Sequence, residues 1–524
     1  MTAMARRALA WILGSLLVSL CLAAVDGNPL SLQGWFAYLV ACLISALLLG
    51  CAWEFLASGR AGRGLLIAML TALALRLVVG VALVRMLPSQ GYDEKHHRAG
   101  YFFPDAYERD RDAWGLARSD HPVWWPFQNR YGSDQYGGML AFNSLVYRVT
   151  NPDVHRPLVM VVLAAGASAA CVLLGWGFVR LAFGGQAAIL AAWILALFPD
   201  AVLLGATQMR EPFLMSAVGA AMYGYAALRQ GRRMGGAMAV GIGVLVSIVV
   251  SPPFSLIIIA LVGLAWVWEG RQHGRWTGFL LVSLAVLLVL GMALTVVAAS
   301  TVSQGSSGLP VILRWLTESA RFQLRRLEAA SGWAREIFSR TPAWAHLPLA
   351  TFNGVLQPFL PAALMDNSSV PLMRWIVIWR AAGWFALLPL LIYAGAIGLR
   401  SVRTRSLPSV LATAVLLTTI LVSYREAGDQ WDNPRYRTVF LSLQAALAAF
   451  GWVHARETKS PWLRRTIICV AGVVLIFLTW YAGRYYQTPK LSFFQTLALA
   501  LLFLVAYPLA AWGWERWRRR REHA

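Results

Sequence analysis

A stretch of nineteen residues, FFPDAYERDRDAWGLARSD at 102–120, concentrates ionisable side chains in an otherwise apolar chain. It holds four aspartates, one glutamate and three arginines. Asp105 lies between the apolar segments FFP and AY, so we expect it to begin a helix at the edge of an apolar phase. A partly desolvated carboxylate in that position can remove a proton from a hydroxyl or an amine. Asp105 is therefore the candidate catalytic base, and a plain helix cap is the alternative.

The other acids of this region are weaker candidates. For Glu108, Asp110 and Asp112, the simplest interpretation is a solvated loop with internal salt bridges. The next segment, NRYGSDQYGGMLAF, places Asp134 and Tyr136 beside a glycine turn. Asp134 is a candidate for a binding role.

The segment FPDAVLLGATQMREPFLMSA contains polar residues at the junction of two apolar runs, with Pro212 at a helix start. Arg210 could face an anion while Glu211 orients it, with Gln208 nearby, and a structural Arg-Glu bridge is the alternative. Asp200 lies at the start of the same segment.

The segment YREAGDQWDNPRYRTVFLSL delivers Arg435, Tyr436 and Arg437 to the beginning of another apolar run. The planar fork of arginine matches phosphate oxygens bidentately, so these arginines are candidates for holding a phosphate or diphosphate at headgroup depth. Anchoring at the membrane interface is the alternative.

Two adjacent histidines, His96 and His97 in YDEKHHR, lie near Asp93 and Glu94. Because neighbouring side chains rarely point the same way, we predict solvated loop histidines and no metal site. The five cysteines all lie in apolar runs and show no disulfide or zinc spacing.

The composition indicates an integral membrane protein, since 58% of the 524 residues are hydrophobic and only 13% are charged. A membrane-spanning helix needs roughly 20 apolar residues. The sequence predicts an all-α helical bundle with about fourteen spans, the seventh and eighth of which could form one hairpin. Their approximate limits are 8–25, 34–57, 64–87, 157–182, 184–205, 211–228, 236–252, 254–268, 276–299, 377–398, 407–423, 437–453, 465–484 and 491–513.

The basic residues predict the orientation, because lysine and arginine are retained in cytoplasmic loops. Under this topology both termini are cytoplasmic, and the first span is a retained helix rather than a cleaved signal peptide. The net charge of +22 is then mainly a topology signal, with some attraction to anionic membrane lipids, and does not indicate nucleic-acid binding. The basic segments on the predicted cytoplasmic face are Arg6-Arg7, SGRAGRG, RQGRR, Arg271 with Arg275, RSVRTR, KSPWLRR and ERWRRRREH.

Two long outer segments interrupt the spans. Residues 88–156 mix acids, bases and aromatic residues, which is typical of a folded polar cap. Within 300–376, apolar residues recur at helical spacing and predict an amphipathic helix in the membrane interface. The run 346–365 is apolar but interrupted by prolines, so we predict a re-entrant or surface-lying segment. The apolar stripe comprises Leu313, Leu316, Ala320, Leu324, Leu327, Ala334 and Phe338.

The order of these segments resembles the membrane glycosyltransferases of the C superfamily (GT-C). The segments that carry the resemblance are AMLTALALRLVVGVALV, PDAYERDRDAWGLA, GSDQYGG, QMREP and NPRYRTVFLSLQAALAAFGW, which together extend over roughly residues 64 to 455. The chain is most similar to the protein O-mannosyltransferase and lipid A aminoarabinose-transferase type, glycosyltransferase family 39.

The resemblance implies a hexosyl- or pentosyltransferase that moves a sugar from a polyprenyl-phosphate donor to a lipid, glycan or protein acceptor. It implies a site on the outer face of a bacterial cytoplasmic (inner) membrane, with inversion at the anomeric carbon. Asp105 matches the family's catalytic aspartate, and Arg210, Arg435 and Arg437 match arginines around the donor phosphate. The family often has a second acid directly after the first, but this chain has Ala106, which leaves a supporting role open to Glu108 or Asp134.

The resemblance also implies a division of the chain. Residues 1–63 are two additional helices, 64–299 the GT-C-like core with the outer loop 88–156, 300–376 the outer-face segment, and 377–524 the C-terminal helices. Gln208, Glu211, Tyr136 and Tyr436 are candidate supporting or acceptor-binding residues. A divalent metal such as Mg²⁺ or Mn²⁺ is an alternative means of stabilising the leaving phosphate.

Two other functions remain open from the sequence. A flippase or other transporter of lipid-linked sugars would suit the number of spans, with Arg76 lining a path. Against it, the spans have no acids deep inside and no halves in mirrored order. The second alternative is an O-antigen ligase or polymerase, which also acts on sugars at the outer face.

Overall fold

The structure, a computed structural model, describes residues 3–26, 31–57, 62–129, 131–150, 152–268, 309–330, 332–366, 370–400, 406–486 and 491–522, with a few isolated positions between 284 and 296. These residues form helices and connecting loops, with one isolated β-bridge between Tyr131 and Asp134. The predicted all-α class is confirmed.

The helices are numbered here in chain order. The first half contains α1 (Ala3–Val25), α2 (Leu32–Leu56), α3 (Arg63–Gln90), α4 (Lys95–Arg98), α5 (Pro104–Ala117), α6 (Gly138–Thr150), α7 (Pro157–Phe183), α8 (Gly185–Leu197), α9 (Pro199–Gly205), α10 (Glu211–Arg229), α11 (Arg233–Val250) and α12 (Pro252–Trp268). The second half contains α13 (Leu309–Ala330), α14 (Gly332–Arg340), α15 (Ala343–Leu356), α16 (Leu360–Met365), α17 (Pro371–Arg400), α18 (Leu407–Glu426), α19 (Asp432–Thr438), α20 (Leu441–Glu457), α21 (Pro461–Tyr485) and α22 (Phe493–Glu522).

The described residues include nine helices long and apolar enough to cross a membrane, or up to eleven if two bent pairs each count as one span. The protein is therefore a polytopic membrane protein. The nine correspond to the first four, seventh, tenth, eleventh, thirteenth and fourteenth predicted spans, and the bent pairs to the fifth and twelfth. The predicted spans 211–228 and 254–268 are helices outside these groups, and 276–299 lies outside the continuously described residues.

Helix α7 forms the centre of the bundle. In its most apolar 18-residue window, 94% of the residues are buried inside the protein, by α2, α3, α8 and α10. A glycine allows α3 to pack closely on α7 and on the end of α9. A Cβ atom on Gly80 would lie 2.6 Å from Val161 and 2.9 Å from the carbonyl oxygen of Ala206. Small residues permit such packing where the lipid supplies no hydrophobic drive between helices.

Two helices bend where sequence analysis predicted straight spans. The axis turns by 56° between α8 and α9 and by 72° between α19 and α20. At the first bend, Pro199 lacks an N–H, and Arg76 donates to the freed carbonyl oxygens of Leu195 and Ala196 at 3.0 Å each. Since Arg76 is 0% exposed, it stabilises this bend and lines no open path, contrary to the transporter hypothesis.

The segment after residue 308 contains the predicted amphipathic helix as α13 and α14. Leu324, Leu327 and Phe338 pack with Ala350 of α15 and Ala427 at the end of α18. The run 346–365 folds into α15 and α16, joined at a cis Gln357–Pro358 bond, and neither helix meets the length required of a span.

Candidate active site

Three carboxylates from different parts of the chain converge on the guanidinium of Arg435. Its Nη2 donates to Oδ2 of Asp105 at 2.9 Å, its Nε to Oε1 of Glu211 at 2.7 Å, and its Nη1 to Oδ1 of Asp432 at 3.2 Å. These residues are separated by up to 330 positions in sequence. The structure therefore brings together Asp105, Glu211 and Arg435, all three of which the sequence singled out.

Asp105 lies in the first turn of α5, directly after Pro104 at the helix start. Proline suits this position because its missing N–H would have no helical partner there, and a carboxylate is favoured beside the positive end of the helix. The apolar residues Phe102 and Phe103 are buried against α3 and α9, which fixes where the helix begins.

Asp110 anchors α5 from the opposite side. Its carboxylate is 0% exposed and accepts hydrogen bonds from Tyr101 and Tyr147 at 2.6 Å each, and contacts Nε2 of His155 at 2.6 Å. The interpretation of Asp110 as a solvated loop residue was therefore wrong. A buried carboxylate needs such partners, and here they join α5 to α6 and to the start of α7.

Arg435 and Asp432 lie on the short helix α19, and Glu211 is the first residue of α10. The 72° bend after α19 turns this short helix away from the axis of α20, so that Arg435 reaches Glu211. Asp429 stabilises the preceding loop, because its Oδ1 accepts from the backbone N–H of Trp431 at 2.7 Å and of Asp432 at 2.6 Å.

Two further arginines face the same cluster with donors that are not used. Arg109 is 2% exposed, and its Nε and Nη1 have no hydrogen-bond partner among the described residues. Arg210 is 9% exposed, and its Nε, which lies 3.9 Å from Glu211, also has no partner there. Buried donors without partners are uncommon and favour an anionic ligand at this place.

Sequence analysis missed Arg109. Its position four residues after Asp105 places both side chains on one face of α5, one turn apart. That spacing was a signal available in the sequence, but only the fold shows that Arg109 is buried rather than solvated.

Asp105 is accessible to solvent, whereas Arg435 and Glu211, with which it forms the cluster, are buried. The side chain of Asp105 is 48% exposed, whereas those of Arg435 and Glu211 are 4% and 0% exposed. Burial alone would raise the pKa of the Asp105 carboxyl, but the charges of Arg435, Arg109 and Arg210 outweigh it and lower the pKa. Asp105 is therefore an ionised carboxylate that a second molecule can reach.

Aromatic rings hold the guanidinium groups of this site. Arg435 lies over the ring of Tyr436 with its Cζ 4.9 Å from the centroid, and Arg425 lies 4.7 Å from the same centroid. Arg210 lies 5.8 Å from the centroid of Tyr136, and burial raises the pKa of that phenol. Tyr136 and Tyr436, predicted as supporting residues, thus border the arginine cluster.

Three other predicted supporting residues lie nearby with different partners. Asp134 is 3% exposed and accepts from the backbone N–H of Leu140 at 2.9 Å, so it fixes the start of α6, and its charge also acts on Arg109. Gln208 donates to the carbonyl oxygen of Pro157 at 2.7 Å, leaving its buried Oε1 without a partner among the described residues. Glu108 is exposed.

Arg437 does not join the cluster. Its guanidinium lies 3.4 Å from the ring centroid of Trp384 and donates to the carbonyl oxygens of Val355 and Gln357. Val355 lies in the last turn of α15, Gln357 directly follows it and Trp384 lies in α17, so these contacts stabilise the junction of α15 and α16 against α17. The prediction that Arg437 contacts a donor phosphate receives no support from these contacts.

One group among the described residues has the composition of a metal site: ligand atoms of Glu94, His96 and His97 all lie within 4.8 Å of one another. The histidines are 9% and 2% exposed, so their interpretation as solvated loop residues was wrong. His97 Nδ1 accepts from the backbone N–H of Tyr92 at 2.9 Å, and His96 Nδ1 lies 3.3 Å from Glu94. Both imidazoles already have structural partners.

The arrangement of the cluster suits displacement chemistry on a phosphate ester. A reachable carboxylate can accept a proton, and fixed guanidinium groups can stabilise negative charge that develops on a leaving phosphate. Three carboxylates around one point could also bind a divalent cation. In this cluster the guanidinium of Arg435 occupies that point and supplies the positive charge.

No family model and no curated protein matches this chain. Solved structures with some similarity include the oligosaccharyltransferase AglB of Archaeoglobus fulgidus in complex with an inhibitory peptide and a dolichol-phosphate, at 16% identity and a TM-score of 0.39, covering 84% of this chain and 54% of that chain. The apo form of the Archaeoglobus fulgidus enzyme gives 16% identity and a TM-score of 0.38, covering 84% and 55%. This chain thus spans about half the length of those proteins, and at these scores the similarity establishes neither a family nor an activity.

Proposed function

We propose that this protein is a membrane glycosyltransferase that transfers a sugar from a polyprenyl-phosphate donor to an acceptor hydroxyl or amine, with Asp105 as general base. The observation that carries the proposal is the pairing of the half-exposed Asp105 carboxylate with the buried Arg435, beside the unused donors of Arg109 and Arg210. A base and an anion cradle are the two parts that such a displacement needs.

In the proposed reaction the acceptor O–H or N–H donates its proton to the Asp105 carboxylate as the acceptor atom attacks the anomeric carbon. The bond between that carbon and the phosphate oxygen breaks, and its electron pair stays on the departing polyprenyl phosphate. A single displacement inverts the configuration. Because Asp105 is 48% exposed, the proton it takes can pass to solvent.

The three arginines have different electrostatic roles. Arg435 is fully engaged by carboxylates and the hydroxyl of Tyr436, so its role is to fix Asp105 and Glu211. Arg109 and Arg210 have N–H groups without a partner in the part of the chain that the structure describes, so they are the residues that receive the leaving phosphate. Guanidinium groups held before the reaction lower the barrier without reorganising during it.

The setting of the site is consistent with a lipid-linked substrate. Asp105 lies in the loop helix α5, beyond the end of the span α3, and Arg435 lies in α19, which together with α20 forms one of the two bent candidate spans. We therefore place the cluster near the ends of membrane helices. We place these ends at the outer face of a bacterial cytoplasmic membrane, because the distribution of basic residues predicts that both termini are cytoplasmic.

The test is incubation of the purified full-length protein with a panel of radiolabelled polyprenyl-phosphate sugars and a membrane extract as acceptor source. We expect one sugar label to leave its lipid with wild-type protein and to stay on the lipid with Asp105→Asn. Equal release by both proteins would exclude Asp105 as the base. Movement of labelled lipid across vesicles without sugar release would instead support a flippase.

A further inference from the structure

A cavity lies beside the loop that leads into α19, the helix that carries Arg435. It has a volume of about 440 Å³, within the range of pockets that bind small ligands. Its walls come from the amphipathic helix α13, the junction of α15 and α16, the end of α21, and the loop that leads into α19. None of the residues to which the proposed transfer step assigns a role lines this cavity.

The cavity has aromatic and charged walls. Tyr481 and Tyr485 lie in the last turn of α21 with stacked rings, 6.2 Å between centroids, and Trp431 lines the side nearest α19. Arg326 and Arg484 are exposed lining residues from two different helices. Aromatic faces beside polar groups suit a sugar ring, and guanidinium groups suit a phosphate or carboxylate on it.

Two acids, Asp366 and Asp429, also line the cavity, but neither forms a salt bridge with the arginines among the described residues, and Asp429 accepts from the backbone N–H groups of Trp431 and Asp432. Arg326 makes only a 3.4 Å contact with Oε1 of Gln323 and lies near the ring of Phe322, and Arg484 lies near the ring of Trp480. Neither takes part in a salt bridge among the described residues. Two guanidinium groups from different helices, neither of them in a salt bridge among the described residues, favour an anionic ligand in this cavity.

The cavity is held in place beside the catalytic cluster by Trp431. The ring of Trp431 packs edge-to-face with Phe102, 5.7 Å between centroids, and Arg380 donates to its carbonyl oxygen. Phe102 lies three residues before Asp105, and Asp432, the neighbour of Trp431, accepts from Arg435. The same short loop therefore borders both the cavity and the reactive carboxylate.

The position of α13 over the cavity is also fixed. Gln323 donates to the buried carboxylate of Glu426 at 2.9 Å, which joins α13 to the end of α18. Arg326 follows Gln323 by three residues and thus lies on nearly the same face of the helix. The cationic wall is therefore positioned by a buried polar contact.

We propose that this cavity is the acceptor subsite and that it binds a saccharide head group carrying a phosphate or a carboxylate. This inference rests on the proposed function, because it assigns the second substrate of the same reaction. The sugar ring packs on the tyrosine pair and Trp431, while Arg326 and Arg484 bind the anionic group. The acceptor is then held beside Asp105, to which its attacking group loses a proton.

The experiment measures ligand binding to the full-length protein in a detergent without sugar groups, by saturation-transfer NMR and titration. The probes are glucose 1-phosphate, glucose, inorganic phosphate and glycerol 3-phosphate. We expect glucose 1-phosphate to bind more tightly than the other three, because only it offers both a ring and an anion. Removing both charges in Arg326→Gln/Arg484→Gln should weaken it by roughly tenfold or more.

Matched variants assign the binding to this cavity. Arg325→Gln removes the same charge from the adjacent, exposed position of α13, which does not line the cavity, and should leave the affinity unchanged. Binding of glucose 1-phosphate that persists in Arg109→Gln/Arg210→Gln would exclude the donor-phosphate site as its location. Because Arg326 and Arg484 are exposed, their substitution should not change the thermal unfolding temperature.

Four results would overturn the inference. Equal affinity for glycerol 3-phosphate would indicate a phospholipid head group, and equal affinity for inorganic phosphate an adventitious ion only. Loss of binding in Arg109→Gln/Arg210→Gln but not in Arg326→Gln/Arg484→Gln would place the probe at the donor cradle. Absence of saturable binding would contradict the subsite directly.

The subsite and the proposed function can fail separately. If Asp105→Asn abolishes sugar release but the double variant at Arg326 and Arg484 binds glucose 1-phosphate normally, only the subsite is wrong. If the double variant loses the probe while Asp105→Asn releases sugar at the wild-type rate, the cavity remains a binding site and the assigned catalysis is wrong.

Discussion

Arg435 bridges Asp105 and Glu211, donating through Nη2 at 2.9 Å to the first and through Nε at 2.7 Å to the second. The two acids differ in accessibility, since the Asp105 side chain is 48% exposed and that of Glu211 is 0% exposed. This relationship separates a carboxylate that can meet a substrate from one that can only hold the arginine in place.

Replacing Asp105 by asparagine should reduce the sugar-transfer rate by about 10²- to 10⁴-fold, which is the usual contribution of a general base. Donor binding should persist, because Arg109 and Arg210 are unchanged. The rate is measured by release of radiolabelled sugar and binding by retention of labelled lipid. Asp120→Asn, in an exposed position at the end of the same acidic stretch, serves as the control. A transfer rate in Asp105→Asn equal to that of Asp120→Asn would contradict the role.

Replacing Glu211 by glutamine should lower the free energy of unfolding by about 3 kcal/mol, because it removes one partner of a buried ion pair. The loss should stay near this lower end, since Asp105 and Asp432 still face Arg435. Thermal unfolding in detergent measures the change. Glu318→Gln breaks the exposed Arg314–Glu318 pair and should change stability by less than about 1 kcal/mol. Equal shifts in the two variants would mean that the buried pair has no special contribution.

Arg109 and Arg437 give opposite expectations. Arg109→Gln should weaken donor binding by roughly tenfold or more, because it removes a free donor facing the leaving phosphate. Arg437→Gln should instead lower the unfolding temperature, because its guanidinium holds backbone carbonyls and packs on Trp384. Titration with labelled polyprenyl-phosphate sugar and thermal unfolding separate the two effects. A large loss of donor affinity in Arg437→Gln, with the protein still folded, would mean that Arg437 does bind the donor phosphate.

The acid limb of the transfer rate should move in Arg109→Gln. The charges of Arg435, Arg109 and Arg210 lower the pKa of Asp105 in the folded protein, so its ion pair is present at neutral pH and is lost only as the pH falls through that lowered pKa. Arg109 contributes to the lowering, so its removal should shift the acid limb of the residual activity to higher pH. A pH–rate profile measures the shift, and Arg335→Gln, on the exposed side of α14, should show none. An unchanged acid limb would mean that another group limits the rate.

Much of the fold was determined by the sequence. Long apolar runs predicted the helices, and the spacing of Leu324, Leu327 and Phe338 predicted the amphipathic helix that packs on α15. Both follow from local composition, because a chain in hydrocarbon must satisfy its backbone hydrogen bonds within each helix. The 56° and 72° bends were not predicted, since they depend on partners such as Arg76 from elsewhere in the chain.

The sequence by itself selected Asp105, Arg210, Glu211 and Arg435 as candidates, because ionisable side chains at the ends of apolar helices are costly without a purpose. It could not distinguish Arg435, which binds three carboxylates, from Arg437, which stabilises the junction of α15 and α16. The two residues lie on one short helix but face different surroundings. Only the tertiary structure decided which groups meet, which are buried, and which donors stay unused. Burial and long-range charge pairing arise from residues hundreds of positions apart, so no local pattern contains them.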